Sequence, residues 1–96
     1  MTKRYFVYIL ASQRIGTLYI GVTNDLLRRV EQHKSHSVPG FTKRYEVDIL
    51  VHVEAFEDVR ECIEREKALK GWNRSWKLKF IERANPDWLE LDPTAY

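Results

Sequence analysis

Cysteine is nearly absent. Cys62 is the only one in 96 residues, so an internal disulfide and a thiolate zinc site are both excluded. That usage fits a reducing compartment, and a cytoplasmic protein is expected. Long apolar runs are missing as well. No stretch approaches the ~20 apolar residues of a membrane-spanning helix, and no membrane partner is expected. The opening MTKRYFVYIL joins a basic start to a short apolar run without a small-residue cleavage site. It is expected to form a strand rather than a signal peptide. Charge of one sign is scarce, since 16 Lys and Arg against 14 Asp and Glu leave a net +2. So small an excess says little about a nucleic-acid partner, and the placement of the charges has to carry that argument. There is no repeat, no low-complexity tract and no linker. What remains, 44% hydrophobic and 31% charged residues, is the composition of a folded chain. One domain over 1–96 is expected, with its core at about 4–88 and a loose tail at 89–96. A chain this short buries somewhat over ~60% of its unfolded surface and folds with a modest margin.

The pattern along the chain predicts an α+β domain, a small three-stranded antiparallel sheet flanked by helices in the order β-β-α-β-α-α. Tyr5 to Leu10 is rich in aromatic and β-branched residues, and both of its faces are apolar, which suits a central strand. Thr17 to Val22 alternates, with Leu18, Ile20 and Val22 facing one way and Tyr19 and Gly21 the other. The two make a hairpin that brings Tyr8 and Tyr19 near each other. A helix follows from about Asn24 to Ser35, capped by Thr23 or Asn24, with Asp25 in its first turn and a stripe of Leu26, Leu27 and Val30. Arg29 and His33 stand four apart and share a face beside that stripe. Tyr45 to Glu54 shows the clearest period of two in the chain and reads as the third strand. A second helix runs from about Asp58 to Lys70, with Gly71 as its stop. A third starts at Ser75 and ends at Asn85-Pro86.

One position stands out on chemistry alone. Glu66 falls on the apolar stripe Val59, Cys62, Ile63, Glu66, Leu69. A buried unpaired carboxylate is costly, so a partner is required. An ion pair with a buried arginine such as Arg29 and a bound metal ion both meet that requirement. The other candidates each admit a structural reading beside the chemical one. Arg29 suits a bidentate clamp on phosphate, or a solvated surface. Tyr8 and Tyr19 are strand tyrosines that fit a core with satisfied hydroxyls, or a phenol pair in a site. Gly21 allows close approach at a strand end, or eases a turn.

The residues Phe6-Val7-Tyr8, Tyr19-Ile20-Gly21, Arg29, Glu66 and Asn85, in this order, resemble the motifs of the GIY-YIG endonuclease superfamily. The likeness is to its small, single-domain bacterial type and spans about Arg4 to Trp88. It implies a GIY-YIG-like fold and a metal-dependent endonuclease that hydrolyses phosphodiester bonds in DNA. In that reading Tyr19 is the general base, with Tyr8 and His33 in support. Arg29 stabilises charge on the phosphate. Glu66 holds a single divalent ion, Mg²⁺ (or Mn²⁺). Gly21 and Asn85 support the site. A phenol has a reference pKa near ~10 and needs nearby cations to act as a base at neutral pH. Three departures are evident. The interval from Glu66 to Asn85 includes a short helix and a tryptophan-rich turn. Phenylalanine and valine stand in place of the first motif's glycine and isoleucine, and Val22 occupies a place where some relatives carry lysine.

Between Arg65 and Arg83 basic residues outnumber acidic ones and tryptophans are interleaved. Lys67, Lys70, Trp72, Arg74 and Lys77 are the candidates there for contacting phosphates and stacking on bases. The alternative is a solvated helix face over core tryptophans. No recognition-helix or zinc-finger pattern is present, so little sequence specificity is expected. A protein partner that supplies the target is a further expectation. The competing function on the same fold is a non-catalytic nucleic-acid-binding module.

Overall fold

The computed structural model describes residues 4–96; Met1 to Lys3, the basic start read from the sequence, lie outside the described residues. The first strand, β1 (Tyr5–Ala11), is the centre of the sheet. It pairs antiparallel with β2 (Leu18–Thr23) on one side and with β3 (Ile49–Phe56) on the other. Its central place follows from its composition, because every residue from Phe6 to Ala11 is buried and both sides need cover.

Two apolar clusters form on the two sides. Phe6, Tyr8 and Leu10 pack with Leu26 and Val30 of α1 (Leu26–Lys34), Val47 and Leu50. Val7, Ile9 and Ala11 pack with Ile20, with Cys62 and Leu69 of α3 (Val59–Gly71), and with Ile81 of α4 (Arg74–Ala84) and Trp88. The three-stranded α+β architecture is as expected, with one added element. A short helix, α2 (Phe41–Tyr45), precedes β3, so the order is β-β-α-α-β-α-α.

That helix corrects the start of the third strand, which begins at Ile49 rather than Tyr45. Phe41 and Tyr45 stand one turn apart, with ring centroids 4.9 Å from each other, and this contact favours a helical turn over an extended segment. Gly40 opens the turn at φ 99° and Glu46 ends it in the left-handed region at φ 54°. The alternation in β3 also fails midway. Ile9 faces His52 but Leu10 faces Leu50, so Val51 is an extra, unpaired residue. This β-bulge inverts the pattern beyond it. Val51 packs toward α3 and α4, whereas Val53 packs with Tyr8.

The caps differ by a residue or two from the sequence reading. Asp25, not Thr23 or Asn24, caps α1, and its Oδ1 accepts from the Arg28 N–H at 3.3 Å. Asn73 rather than Ser75 caps α4, accepting from Trp76 N at 2.9 Å. Gly71 is the last residue of α3, but Trp72 continues it in extended backbone without a left-handed cap. Leu27, Val59 and Ile63, read as inward, are 39–40% exposed. The segment after Trp88 is not loose. Leu91 N donates to Leu50 O at 2.8 Å, Glu90 pairs with Lys34, and a 3₁₀ turn at Pro93–Ala95 lies against α1.

On the α3 and α4 side a charged network crosses the sheet. Arg65 donates twice to Glu54, at 2.8 and 3.1 Å, and His52 Nε2 donates to the same carboxylate at 3.0 Å. The His52 hydrogen bond and then Arg65 hold the Glu54 carboxyl down to about 2, against the opposing effect of its partial burial.

Candidate active site

Tyr8 lies directly opposite Gly21 in the hairpin. A methyl group on Gly21 would come within 2.5 Å of Tyr8 Oη and 2.6 Å of its Cζ. The glycine is therefore needed for space: it lets the Tyr8 phenol lie across β2. The phenol then reaches His33 on α1, with Oη 3.1 Å from Nε2. His33 Nδ1 is in turn 2.9 Å from Thr42 Oγ1 on α2. Tyr8, His33 and Thr42 form one buried hydrogen-bonded chain that runs from the central strand through two helices. Tyr19 completes the cluster, with its ring centroid 6.1 Å from Tyr8 and 5.3 Å from His33. It is half-buried and so reaches the surface.

Proton positions follow from the environment. Burial holds the Tyr8 phenol well above the usual tyrosine range, and the Tyr19 oxygen and the Glu66 carboxylate add to this while Arg29 opposes it. Burial and then Arg29 push the His33 imidazole below 6.5, against a smaller upward pull from Asp48. Tyr8 is thus a neutral phenol and His33 a neutral imidazole at neutral pH. Two proton arrangements satisfy the chain. Tyr8 donates to Nε2 while Nδ1–H donates to Thr42, or Thr42 donates to Nδ1 while Nε2–H donates to Tyr8. In the second the Tyr8 O–H is free to donate into the site.

Arg29 is half-buried and close enough to act on both Tyr8 and His33. It also lines a polar cleft of about 510 Å³ at the start of α1, with Thr23, Asn24, Asp25, Arg28 and Gln32. Among the described residues Arg29 pairs with no carboxylate. The ion pair with Glu66 considered from the sequence does not form. Glu66 Oε2 instead meets Lys70 Nζ, one helical turn on, at 3.2 Å, and the Glu66 side chain keeps 19% of its surface exposed.

The donor set limits what metal site is possible. Among the described residues no group of three or more His, Cys, Asp and Glu side chains converges. A single carboxylate with the rest of the shell from water and substrate phosphate is the usual pattern for Mg²⁺, and a partly exposed Glu66 whose charge is felt at Tyr8 fits it.

The structure thus brings Tyr8, Tyr19, Gly21 and His33 together, with Arg29 acting on Tyr8 and His33 and Glu66 on Tyr8. It does not bring Asn85 there. Asn85 Nδ2 donates to Val51 O at 3.2 Å and to Leu89 O at 2.9 Å, and Oδ1 accepts from Leu89 N at 2.9 Å. Asn85 braces the β3 bulge and the turn after α4. The five basic and aromatic candidates are engaged in different ways. Lys67 is exposed, Lys70 pairs with Glu66, and Lys77 is half-buried. Trp72 packs in the sheet cluster. Arg74 Nη2 donates to the carbonyls of Ile15 and Gly16, both at 2.9 Å, and ties down the β1–β2 loop. Thr42 and Arg28 were not singled out from the sequence. The i,i+4 aromatic pair around Thr42 was the available signal for its helix. The spacing Leu26, Val30, His33 was the signal that His33 itself is buried.

Fold and site together define a nuclease-type domain. A sequence model of the GIY-YIG catalytic domain matches residues 4–79, and the chain belongs to the GIY-YIG family, a family of nucleases. Asn85 lies beyond the matched residues. The relatives within the family are small proteins of similar length. A UPF0213 protein of Bacillus velezensis is 33% identical over 81 residues, covering 84% of this chain and 81% of that protein. A UPF0213 protein of Staphylococcus aureus is 35% identical over 78 residues, covering 81% and 94%. The solution NMR structure of a UPF0213 protein from Bacillus halodurans matches with a TM-score of 0.57 and 27% identity, over 88% of this chain and 89% of that one. Both the family resemblance and the α+β fold read from the sequence are borne out.

Proposed function

We propose that this chain is a metal-dependent endonuclease that hydrolyses phosphodiester bonds in DNA. The observation that carries the reading is the division of labour between the two tyrosines. Tyr8 is locked by His33 and keeps its proton, while Tyr19 stands beside it half-buried. Tyr19 Oη takes the proton of the attacking water. Tyr8 and His33 hold that phenol and water in line. Arg29 binds a non-bridging phosphate oxygen and stabilises the charge that grows on it. Glu66 would hold a single Mg²⁺ (or Mn²⁺), whose chemistry when bound is to polarise the scissile phosphate and stabilise the leaving oxygen.

The second reading is a non-catalytic nucleic-acid-binding module. The Glu66–Lys70 pair favours it, because a carboxylate already neutralised by a lysine has less call on a metal. A protein partner that supplies the target is compatible with both. One experiment separates them: DNA and RNA of duplex, branched and single-stranded form are incubated with the protein in Mg²⁺, in Mn²⁺ and in chelator, beside Glu66→Gln. Cutting of DNA that needs the metal and disappears in the variant is the expected result. Binding without cutting across the whole panel would replace it with the second reading.

A further inference from the structure

The sheet face opposite Tyr8 carries a second constellation that the proposed hydrolysis does not use. Trp72 and Phe80 meet edge to face with centroids 5.2 Å apart, and Trp76 meets Trp72 in the same way at 6.1 Å. The Arg65 guanidinium stands 5.5 Å from the Trp72 centroid and 5.3 Å from that of Phe80. These aromatics, with Lys79 and Arg83, line an open groove of about 360 Å³. Helical spacing puts Trp76, Lys79, Phe80 and Arg83 on one face of α4. Trp76 is 58% exposed, although the same helix buries Ile81 against the sheet.

Charge decides what such a groove accepts. Lys79 and Arg83 stand four apart on the helix, where like charges repel. Among the described residues neither pairs with a carboxylate. The acids nearby are engaged: Glu54 is held by Arg65 and His52, and Glu82 accepts from Trp88 Nε1 at 3.1 Å. The groove therefore offers an exposed indole face beside two cations that make no ion pair among the described residues. An acidic peptide would satisfy the cations and leave the indole wet. A blunt duplex would present phosphates but keep its bases stacked inside. An unpaired nucleotide meets both needs, with its base on the ring and its phosphates on the cations.

We propose that the Trp76–Lys79–Phe80–Arg83 groove binds single-stranded nucleic acid, one base stacked on Trp76 and the flanking phosphates held by Lys79 and Arg83. The site lies across the sheet from the tyrosine cluster, so the strand it holds is a segment beyond the bond that would be cut. This inference deepens the nucleic-acid reading above but does not need cleavage.

The test is run in chelator, where the hydrolytic reaction plays no part. An oligothymidylate of about 12 nucleotides and a blunt duplex of equal length are titrated into isotope-labelled protein, and the indole N–H signals are followed by NMR. The single strand is expected to shift the Trp76 signal, to leave that of buried Trp88 in place, and to bind more tightly than the duplex. Trp76→Ala should weaken single-strand binding by about 5- to 150-fold, with partial recovery in Trp76→Phe. Lys79→Glu with Arg83→Glu should flatten the dependence of log K on log salt by about 1.4. Since Trp76 is exposed, its loss should leave the fold intact, and an unchanged melting temperature checks this. Equal single-strand affinity in Trp76→Ala and the parent would overturn the proposal. So would a Trp76 shift produced by polyglutamate as readily as by the oligonucleotide. Strand binding is read in chelator and cleavage in Mg²⁺, so failure of the nuclease reading and failure of this one are seen separately.

Discussion

The Tyr8 phenol occupies the space in which a side chain at position 21 would lie, with Oη 2.5 Å and Cζ 2.6 Å from where a Gly21 Cβ would be. The glycine of the second motif and the tyrosine of the first are thus two halves of one steric device. Gly21→Ala should cost about 1–3 kcal/mol, as overpacking in a filled core does, and should disturb Tyr8 and His33 together. Tyr8→Phe should not relieve it, because Cζ remains. Thermal melts of the two single variants and the double variant check this, and a double variant more stable than Gly21→Ala would contradict it.

Thr42 holds the far end of the chain through His33. Thr42→Val keeps the shape and leaves Nδ1 without its partner, so a loss of about 1–3 kcal/mol is expected. The pH dependence is distinctive. The folded pKa of His33 lies below its ordinary 6.5, so the unfolded chain takes up the proton first as pH falls. The stability tied to neutral His33 is complete above about 6.5 and declines as pH drops through that value toward the folded pKa. His33→Gln should remove this part of the profile, as followed by urea unfolding between pH 7.5 and pH 5 (about the range of histidine titration).

Glu54 acts with the same sign in a lower pH window. Its pKa falls from 4.5 to about 2 in the folded chain, so its contribution is present above 4.5 and lost as pH falls through about 2. Glu54→Gln should lower stability at neutral pH by a few kcal/mol, because it leaves Arg65 half-buried without its carboxylate. It should also flatten the acid limb of the stability profile below about 4.5. An unchanged acid limb in the variant would show that other carboxylates set it.

Arg74 is assigned a structural duty. Its two hydrogen bonds hold the loop of Ile15 and Gly16, where Ile15 sits at φ 54°, a conformation that a β-branched residue rarely adopts. Arg74→Ala should cost about 1–3 kcal/mol and speed amide exchange in residues 12–17. Its effect on single-strand binding should be smaller than that of the Lys79 and Arg83 substitutions. A larger effect would restore Arg74 to the nucleic-acid surface.

Much of this protein is local and is written in periodicity. Two apolar faces on Tyr5–Ala11 demanded a central strand, alternation in Leu18–Thr23 set which side Tyr19 takes, and the hairpin between them placed Tyr8 beside Tyr19. A 3.6-residue period brought Arg29 and His33 to one side of α1. These features need only neighbours in sequence, and the motif order that carries the family is read from the same residues. The tertiary structure decided the rest, because it depends on partners far apart in the chain. The bulge at Val51 arises from how β3 meets β1, and Asn85 is bonded there, to the Val51 carbonyl, and not to the tyrosines. That Arg29 makes no ion pair with Glu66 depends on how α1 and α3 sit across the sheet, whereas the Lys70 pair is a local contact one helical turn on. Thr42 matters only because α2 folds under His33. Trp76 and Trp72 look alike in sequence, but one lies open to solvent and the other is packed against Phe80 and Arg65, since only the docking of α4 determines which indole the sheet covers.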